Sequence, residues 1–480
     1  MKRELILSLA LGAACVLPLE AKTKAMLFFD TEDFTCNESN DPIRETAKIL
    51  TEEGVRGQYN IVGYLARELV RLGRTDVIEA LKPHCLGTQT LKHSVHPTIC
   101  EQSDMVDYGT AYRNVLADEA EGVGMLKAAF GLQAIDYAVP PGDSWSYVGF
   151  YVFADLGMTF YGGGGFCDDG ENHDKSEGLV PSGLRRSGMW YCNMLQLPYS
   201  HLYSLEYLIP CGNKPIPDYK AALDECAKRD LVVFYMHPNK VNKTEFWDFV
   251  NYRGKNMVEW GKWNAAKDRP KADVEAFYRN FRAFVKAVKA DSRFEFTDIE
   301  TEKAKIRPRV AIERKDLASV KSALEKDFGT ISSPASWCVA DVFQAVVTFL
   351  RGDDAAFRPD KAYGFLAPPR GVKAPVTVKV ADLRAAAAKL DLSTFIPPAI
   401  DVGGVALGPA DFLFAGLEAL VTGADAVTVR PREQLGSFRH CPSLETVDIK
   451  GGWCIHSPDL NGALLDERLK LQLWTLRFEN

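Results

Sequence analysis

Past Leu19 this 480-residue chain has no segment of about 18 uninterrupted apolar residues, the length a membrane-spanning helix needs. It also lacks an excess of positive charge. The 57 Lys and Arg are outnumbered by 64 Asp and Glu, for a formal charge of -7. With no basic stripe to hold phosphates, a nucleic-acid partner is excluded. None of the 11 cysteines forms a CxxC pair, so a thiolate zinc ribbon is ruled out. The run Gly162-Gly163-Gly164-Gly165 is not followed by Lys-Ser/Thr, which excludes a phosphate cradle. Low-complexity and collagen-like stretches are missing as well. With 46% hydrophobic and 25% charged residues, the composition is that of a globular protein with a large core.

At the N-terminus, Lys2 and Arg3 precede an apolar run from Leu5, interrupted by Pro18, and the chain turns polar at Glu20-Ala21-Lys22. This is the layout of a secretory signal covering residues 1–21, and it predicts a secreted, periplasmic or cell-envelope protein; an uncleaved anchor is the alternative. Ten cysteines then remain. An even number in an exported chain permits disulfides. Cys85 and Cys100 bracket a histidine-bearing stretch, so a bridge between them would close that loop, whereas a core this large also accommodates cysteines as buried thiols.

Residues 25–29 predict a buried strand ending in Asp30-Thr31-Glu32-Asp33. A helix starting at Asp41-Pro42 follows, with Ile43, Ala47 and Leu50 at helical spacing and a stop at Gly54. Further strands are predicted at 55–62, near Leu86-Gly87, and at 134–139, 159–161 and 231–236. They alternate with helices at 64–72, 75–81 and 109–130, which implies parallel pairing in a wound sheet or barrel. An amphipathic helix at 273–289 and a strand at 294–297 complete this domain, residues 22–305. A charged, proline-containing junction at 303–309 leads into residues 306–480, read as a mainly helical accessory module with helices near 317–326, 340–350, 381–390, 409–420 and 464–473. Its Pro-Val-Thr-Val segment, followed later by Gly-Pro-Ala-Asp-Phe-Leu, is similar to short repeat modules that bind cell-wall polymers.

Four clusters carry chemistry: Asp30, Glu32 and Asp33; Gly87-Thr88-Gln89-Thr90-Leu91-Lys92-His93-Ser94-Val95-His96-Pro97; Pro140-Pro141-Gly142-Asp143-Ser144-Trp145; and the strand at 231–236 running into His237-Pro238. If these lie at the carboxyl ends of barrel strands, they converge. Their order and spacing over about residues 25–300 resemble the polysaccharide deacetylase (NodB-homology) family. The resemblance implies a deformed (β/α) barrel of α/β class that binds a divalent metal, zinc by preference, through one acidic residue and two histidines. The implied activity is removal of acetyl groups from an acetylated glycan, amino sugar or cell-wall polysaccharide.

The chemistry has its own logic. Hydrolysing an acetamide or acetate near neutral pH needs an activated water, which a metal supplies, together with a base for its proton and an acid for the leaving group. Carried onto this chain, the resemblance implies Asp30 as base, His237 as acid, Asp33 and His93 as metal ligands, and Pro141 and Trp145 as substrate contacts, with Glu32 a substitute for Asp33. Two departures stand out. Gln89 occupies the place of the first family histidine, and an amide is a poorer zinc ligand; His96 is the candidate replacement. Val139 stands where the family has arginine. Trp190, Tyr199 and Trp247-Asp248 are further candidate stacking faces for sugar rings. Taken singly, each motif is also explained structurally, as a helix cap, a turn or a satisfied polar group. Two other functions therefore stand beside the hydrolase: a catalytically degenerate carbohydrate-binding protein on the same fold, and a hydrolase of non-sugar C–N bonds.

Overall fold

Met26 and Phe28 project from one face of the first strand and Ala25, Leu27 and Phe29 from the other, into two separate cores. The computed structural model describes residues 22–144, 146–162, 188–196, 200–210, 218–353, 355–441, 444–445, 447–449 and 455–479. The signal at 1–21, Trp145, Gly163 to Gly165, Tyr199, Cys167, Cys211 and Cys454 lie outside the described residues.

The strands, in chain order, are β1 Thr23–Thr31, β2 Gln58–Ile61, β3 Cys85–Thr88, β4 Tyr137–Ala138, β5 Phe160–Tyr161, β6 Met189–Tyr191, β7 Met194–Gln196, β8 Ser200–Ser204, β9 Leu231–Met236 and β10 Phe294–Phe296. Five more follow: β11 Val376–Lys379, β12 Ile400–Val402, β13 Val405–Leu407, β14 Ala426–Val429 and β15 Arg477–Phe478. The main sheet runs β15-β6-β7-β5-β4-β3-β2-β1-β9-β8, with β10 also paired to β1. All its described pairings are parallel except β6 with β7 and β15 with β6. The result is a curled, mostly parallel sheet with helices on its outer face, consistent with a deformed barrel.

Helices Asp41–Glu53, Gly63–Arg71, Tyr108–Phe130 and Lys271–Ala290 bury their apolar stripes on that outer face. Phe29 stacks on Tyr59 at 4.4 Å and meets Phe281 edge-on at 6.1 Å, which fixes the last of these helices against β1 and β2. Each such fully buried ring contributes roughly 1.5–3 kcal/mol. The helix at Asp41–Glu53 stops at Gly54 as the sequence predicts, because φ there is +69°, a left-handed turn that glycine adopts without strain. The inner face is narrower: Met26, Phe28, Tyr137, Val139, Phe160, Leu231 and Val233 fill it and form the floor beneath the site.

Residues 312–435, with Leu471 and Trp474, form a second core. Helices Leu317–Lys326, Val339–Leu350, Val380–Ala387 and Pro409–Thr422 pack with the two-stranded pairs β11/β14 and β12/β13. The expectation of one mainly helical module over 306–480 needs correction at its end. Cys441, Ile455, Leu465, Leu469 and Phe478 pack into the first core, and β15 adds a strand to the main sheet. Buried polar contacts hold this return: Tyr147 accepts from Arg468 at 2.7 Å, and Tyr151 donates to Gln472 at 2.8 Å. The helical pattern at 464–473 is an α-helix only over Ala463–Lys470. Cys85 carries a free thiol, so no Cys85–Cys100 bridge closes the histidine loop. Among the described residues no helix is long and apolar enough to cross a membrane.

Candidate metal centre

Strand parity decides which acidic side chains enter the site. The inward alternation of Met26 and Phe28 continues through Asp30 and Glu32, while Asp33 turns away. Asp30 lies beside Asn60 in the β1/β2 register and accepts a hydrogen bond from its Nδ2 at 3.1 Å. Asp33 instead folds into a local turn, its Oδ1 accepting from the Thr35 amide at 2.9 Å and the Thr35 hydroxyl at 2.7 Å. Burial raises its pKa. On β9 the same parity carries Leu231, Val233 and Tyr235 inward, and His237 follows them.

His93 arrives from the loop after β3. Two non-glycine residues there, Thr90 at φ +65° and His93 at φ +47°, are left-handed, a strained conformation that must be held by its surroundings. Gly63 N–H donates to the Thr90 carbonyl at 3.0 Å, and Tyr64 N–H to the Leu91 carbonyl at 2.8 Å. The helix Tyr108–Phe130 presses on the loop through Gly122, where a Cβ would come within 2.9 Å of the Leu91 Cα.

The buried centre comprises Glu32, His93 and Asp248, whose ligand atoms all lie within 4.8 Å of one another. His93 Nε2 is 2.9 Å from Glu32 Oε2, and Nδ1 is 2.6 Å from Ser94 Oγ. Ser94 donates its hydroxyl proton to Asp248 Oδ2 at 2.9 Å. Because that proton is spent on Asp248, His93 must donate through Nδ1, and Nε2 faces the Glu32 carboxylate. A lone pair and a carboxylate that close need a cation between them, either a proton or a metal ion. One imidazole and two carboxylates make a donor set suited to zinc or a similar divalent ion, and a second ring nitrogen tied to a hydroxyl is the outer contact such ligands use. The residues present therefore fit the group.

Burial raises the Glu32 carboxyl, but the charge and hydrogen bond of His93 outweigh it and hold the group below its ordinary value. Asp248 is raised, by burial and then by the nearby Glu32 charge. Beside the buried three, Asp30 and His237 form the accessible edge, each side chain 21% exposed. His237 Nδ1 lies 2.7 Å from Glu206 Oε1, and its Nε2 is 3.5 Å from Glu32 Oε1 and 3.8 Å from Asp30 Oδ2. Burial favours the neutral ring. Glu206, Glu32 and Asp30 override it and push the pKa up to about 10.

Of the residues expected from sequence, the structure brings Asp30, His93 and His237 together, with Glu32 in the place offered to Asp33. Asp33 is not in the group, for the parity reason above. Nor is His96, whose Nδ1 pairs with Glu101 at 2.8 Å and whose Nε2 meets the Tyr252 carbonyl at 3.1 Å. Glu101 is itself fixed by the Thr98 amide at 2.9 Å and the Ser457 amide at 2.7 Å. Pro141, itself buried, opens the turn Pro141–Asp143. Trp247 is no stacking face: it is fully buried, its ring 5.6 Å from His93. Trp190 is covered by Arg477. Phe246, edge-on to His237 at 5.0 Å, and the exposed Phe249 lie nearer the accessible side. Glu206 was missed as a site residue, and Asp248 was named only beside Trp247 as a stacking position, since neither sits in one of the four motifs.

No family model matches this chain, and no relative is found among curated proteins. Solved structures that this chain matches include a 4-alpha-glucanotransferase of Thermococcus litoralis, 12% identical, with a TM-score of 0.38 over 63% of this chain and 46% of that one. They also include a family 4 carbohydrate esterase of Streptomyces lividans (10% identical, TM-score 0.28, 58% of this chain and 93% of that one). A CE4 family pseudoenzyme of Bacillus anthracis is 11% identical, with a TM-score of 0.25 over 46% of this chain and 57% of that one. The chain spans less than half the length of the glucanotransferase.

Proposed function

We propose that this protein is a metal-dependent hydrolase that removes acetyl groups from an acetylated glycan or amino sugar outside the cytoplasm. The observation that carries the reading is His93, with Nδ1 committed to Ser94 and Nε2 directed at Glu32 beside Asp248. Glu32, His93 and Asp248 would hold the ion. When bound, a divalent ion polarises the acyl carbonyl and lowers the pKa of water.

The chain's own groups supply the proton transfers. Asp30, oriented by Asn60, takes the proton of the attacking water. His237, protonated and held through Nδ1 by Glu206, gives its Nε2 proton to the departing nitrogen or oxygen, so that water and the acetyl compound become acetate and the free amine or alcohol. The two sit at the accessible edge, where a polymer can reach them, and the buried three lie behind. The test is acetate release from acetylated chito-oligosaccharide and acetylated xylan. Release that stops on chelation and returns with zinc is the expected result; release that persists in chelator defeats the mechanism.

A second reading, a sugar-binding protein without catalysis, is favoured by the same His93. The Glu32–His93 pair and the Ser94–Asp248 link already satisfy one another with only a proton between them. Full-length protein that takes up no zinc yet binds chito-oligosaccharide would decide for it.

A further inference from the structure

Arg432 makes no close hydrogen-bonded ion pair among the described residues, its Nε standing 4.0 Å from Asp411. It lines a cavity of about 390 Å³ in the second core, between helix Leu317–Lys326, helix Pro409–Thr422 and β14. Its guanidinium lies flat on Phe414, 3.8 Å from the ring centre. The Nε is buried without a hydrogen-bond partner, while the side chain as a whole is 30% exposed. Asp411 is the neighbouring carboxylate, its Oδ1 4.0 Å from Nε. That carboxylate is already spent: it accepts from the Val372 amide at 2.7 Å, the Gly408 amide at 3.1 Å and Gln434 Nε2 at 3.0 Å. It also faces the N-terminus of its own helix, which stabilises its charge. Lys321, on the opposite wall, is neutralised by Glu325 at 2.9 Å and Glu418 at 3.0 Å. A planar fork held rigid on an aromatic face, with its Nε donor unspent, is the arrangement that takes a carboxylate in two parallel hydrogen bonds.

We infer that this cavity is a binding site for a compact carboxylate, about the size of one sugar or amino-acid residue. The carboxylate would lie on Arg432, the apolar part of the ligand against Phe414 and Val427, and a hydroxyl or amide N–H would point toward Glu418. The volume is that of a small-ligand pocket. The inference stands apart from the metal centre, because every residue in it belongs to the second core.

The test is calorimetric titration of the full-length protein with sodium glucuronate, with sodium N-acetyl-L-alaninate and with glucose. Saturable binding of either carboxylate, without binding of glucose, is expected; which one binds tells a sugar acid from a peptide-like source. Arg432→Gln should weaken that binding about 10- to 100-fold, the loss of a charged, forked hydrogen-bond pair. Arg432→Lys, which keeps the charge and lacks the fork, should weaken it as well, with thermal unfolding of both variants showing that the module is intact. Failure of both carboxylates to bind, equal binding of glucose, or unchanged affinity in both variants would overturn the inference.

Discussion

His93 Nε2 and Glu32 Oε2 face each other at 2.9 Å, both side chains buried, each delivered by a different strand end. Two such groups cannot share that space as an unprotonated pair, and everything proposed for the centre follows from which cation separates them. Asp248, from the helix Trp247–Asn251, completes the group.

Asp30→Asn should lower acetate release by about 10²- to 10⁴-fold, the usual worth of a positioned base, and His237→Gln should cost a similar amount at the leaving-group step. Neither residue is among the three proposed ligands, so bound metal should be unchanged in both variants. Steady-state rates paired with metal analysis check this; loss of metal in Asp30→Asn would reassign that residue.

His84 gives an acid-side signature. Its Nδ1 accepts from the Gly57 amide at 3.1 Å and its Nε2 donates to the Ala47 carbonyl at 3.0 Å, so the ring is held neutral. Burial pulls its pKa from 6.5 down to about 4. A lowered folded-state value contributes stability that is present above pH 6.5 and lost as pH falls through 4, amounting to about 3 kcal/mol. Urea unfolding should therefore show His84→Gln less stable than the native protein at pH 7, with the gap narrowing at pH 4.

Glu119 gives the opposite sign. It is buried in the helix behind the His93 loop, within hydrogen-bond reach of the Leu91 amide, and burial pushes its pKa up to about 8. A raised folded-state value contributes stability that is present at low pH and lost as pH rises through 8. Glu119→Gln keeps an oxygen for Leu91 and removes the buried charge. Its melting temperature should match the native protein at pH 5 and exceed it at pH 9.

Much of this was legible before any coordinates. The alternating strands and helices of the first 300 residues, the Gly54 stop and the position of β9 follow from short-range patterns, and the gathering of Asp30, His93 and His237 was implied by the family resemblance. Glu32 was offered only as a substitute for Asp33, although a period of two carried on from Met26 and Phe28 would have selected it. The place of Asp248 in the centre was not legible. It contacts the centre through Ser94 across 154 residues of chain, and no local pattern encodes such a meeting. His96 was misplaced because spacing alone does not say which way a loop turns; Glu101, fixed by Thr98 and Ser457, draws it away. The return of residues 441–479 to the main sheet was hidden for the same reason as Asp248, because β15 is two residues long and pairs with a strand far upstream.

The central claim rests on an ion held by Glu32, His93 and Asp248, and metal stoichiometry tests it most directly. The full-length protein and Asp248→Asn are loaded with zinc, dialysed free of excess, and measured by plasma mass spectrometry. The account predicts about one zinc per native chain and a large loss in the variant, with Asp33→Asn and His96→Gln retaining the native content. A native protein that holds no zinc, or an Asp248→Asn variant that holds as much as the native protein, would contradict it.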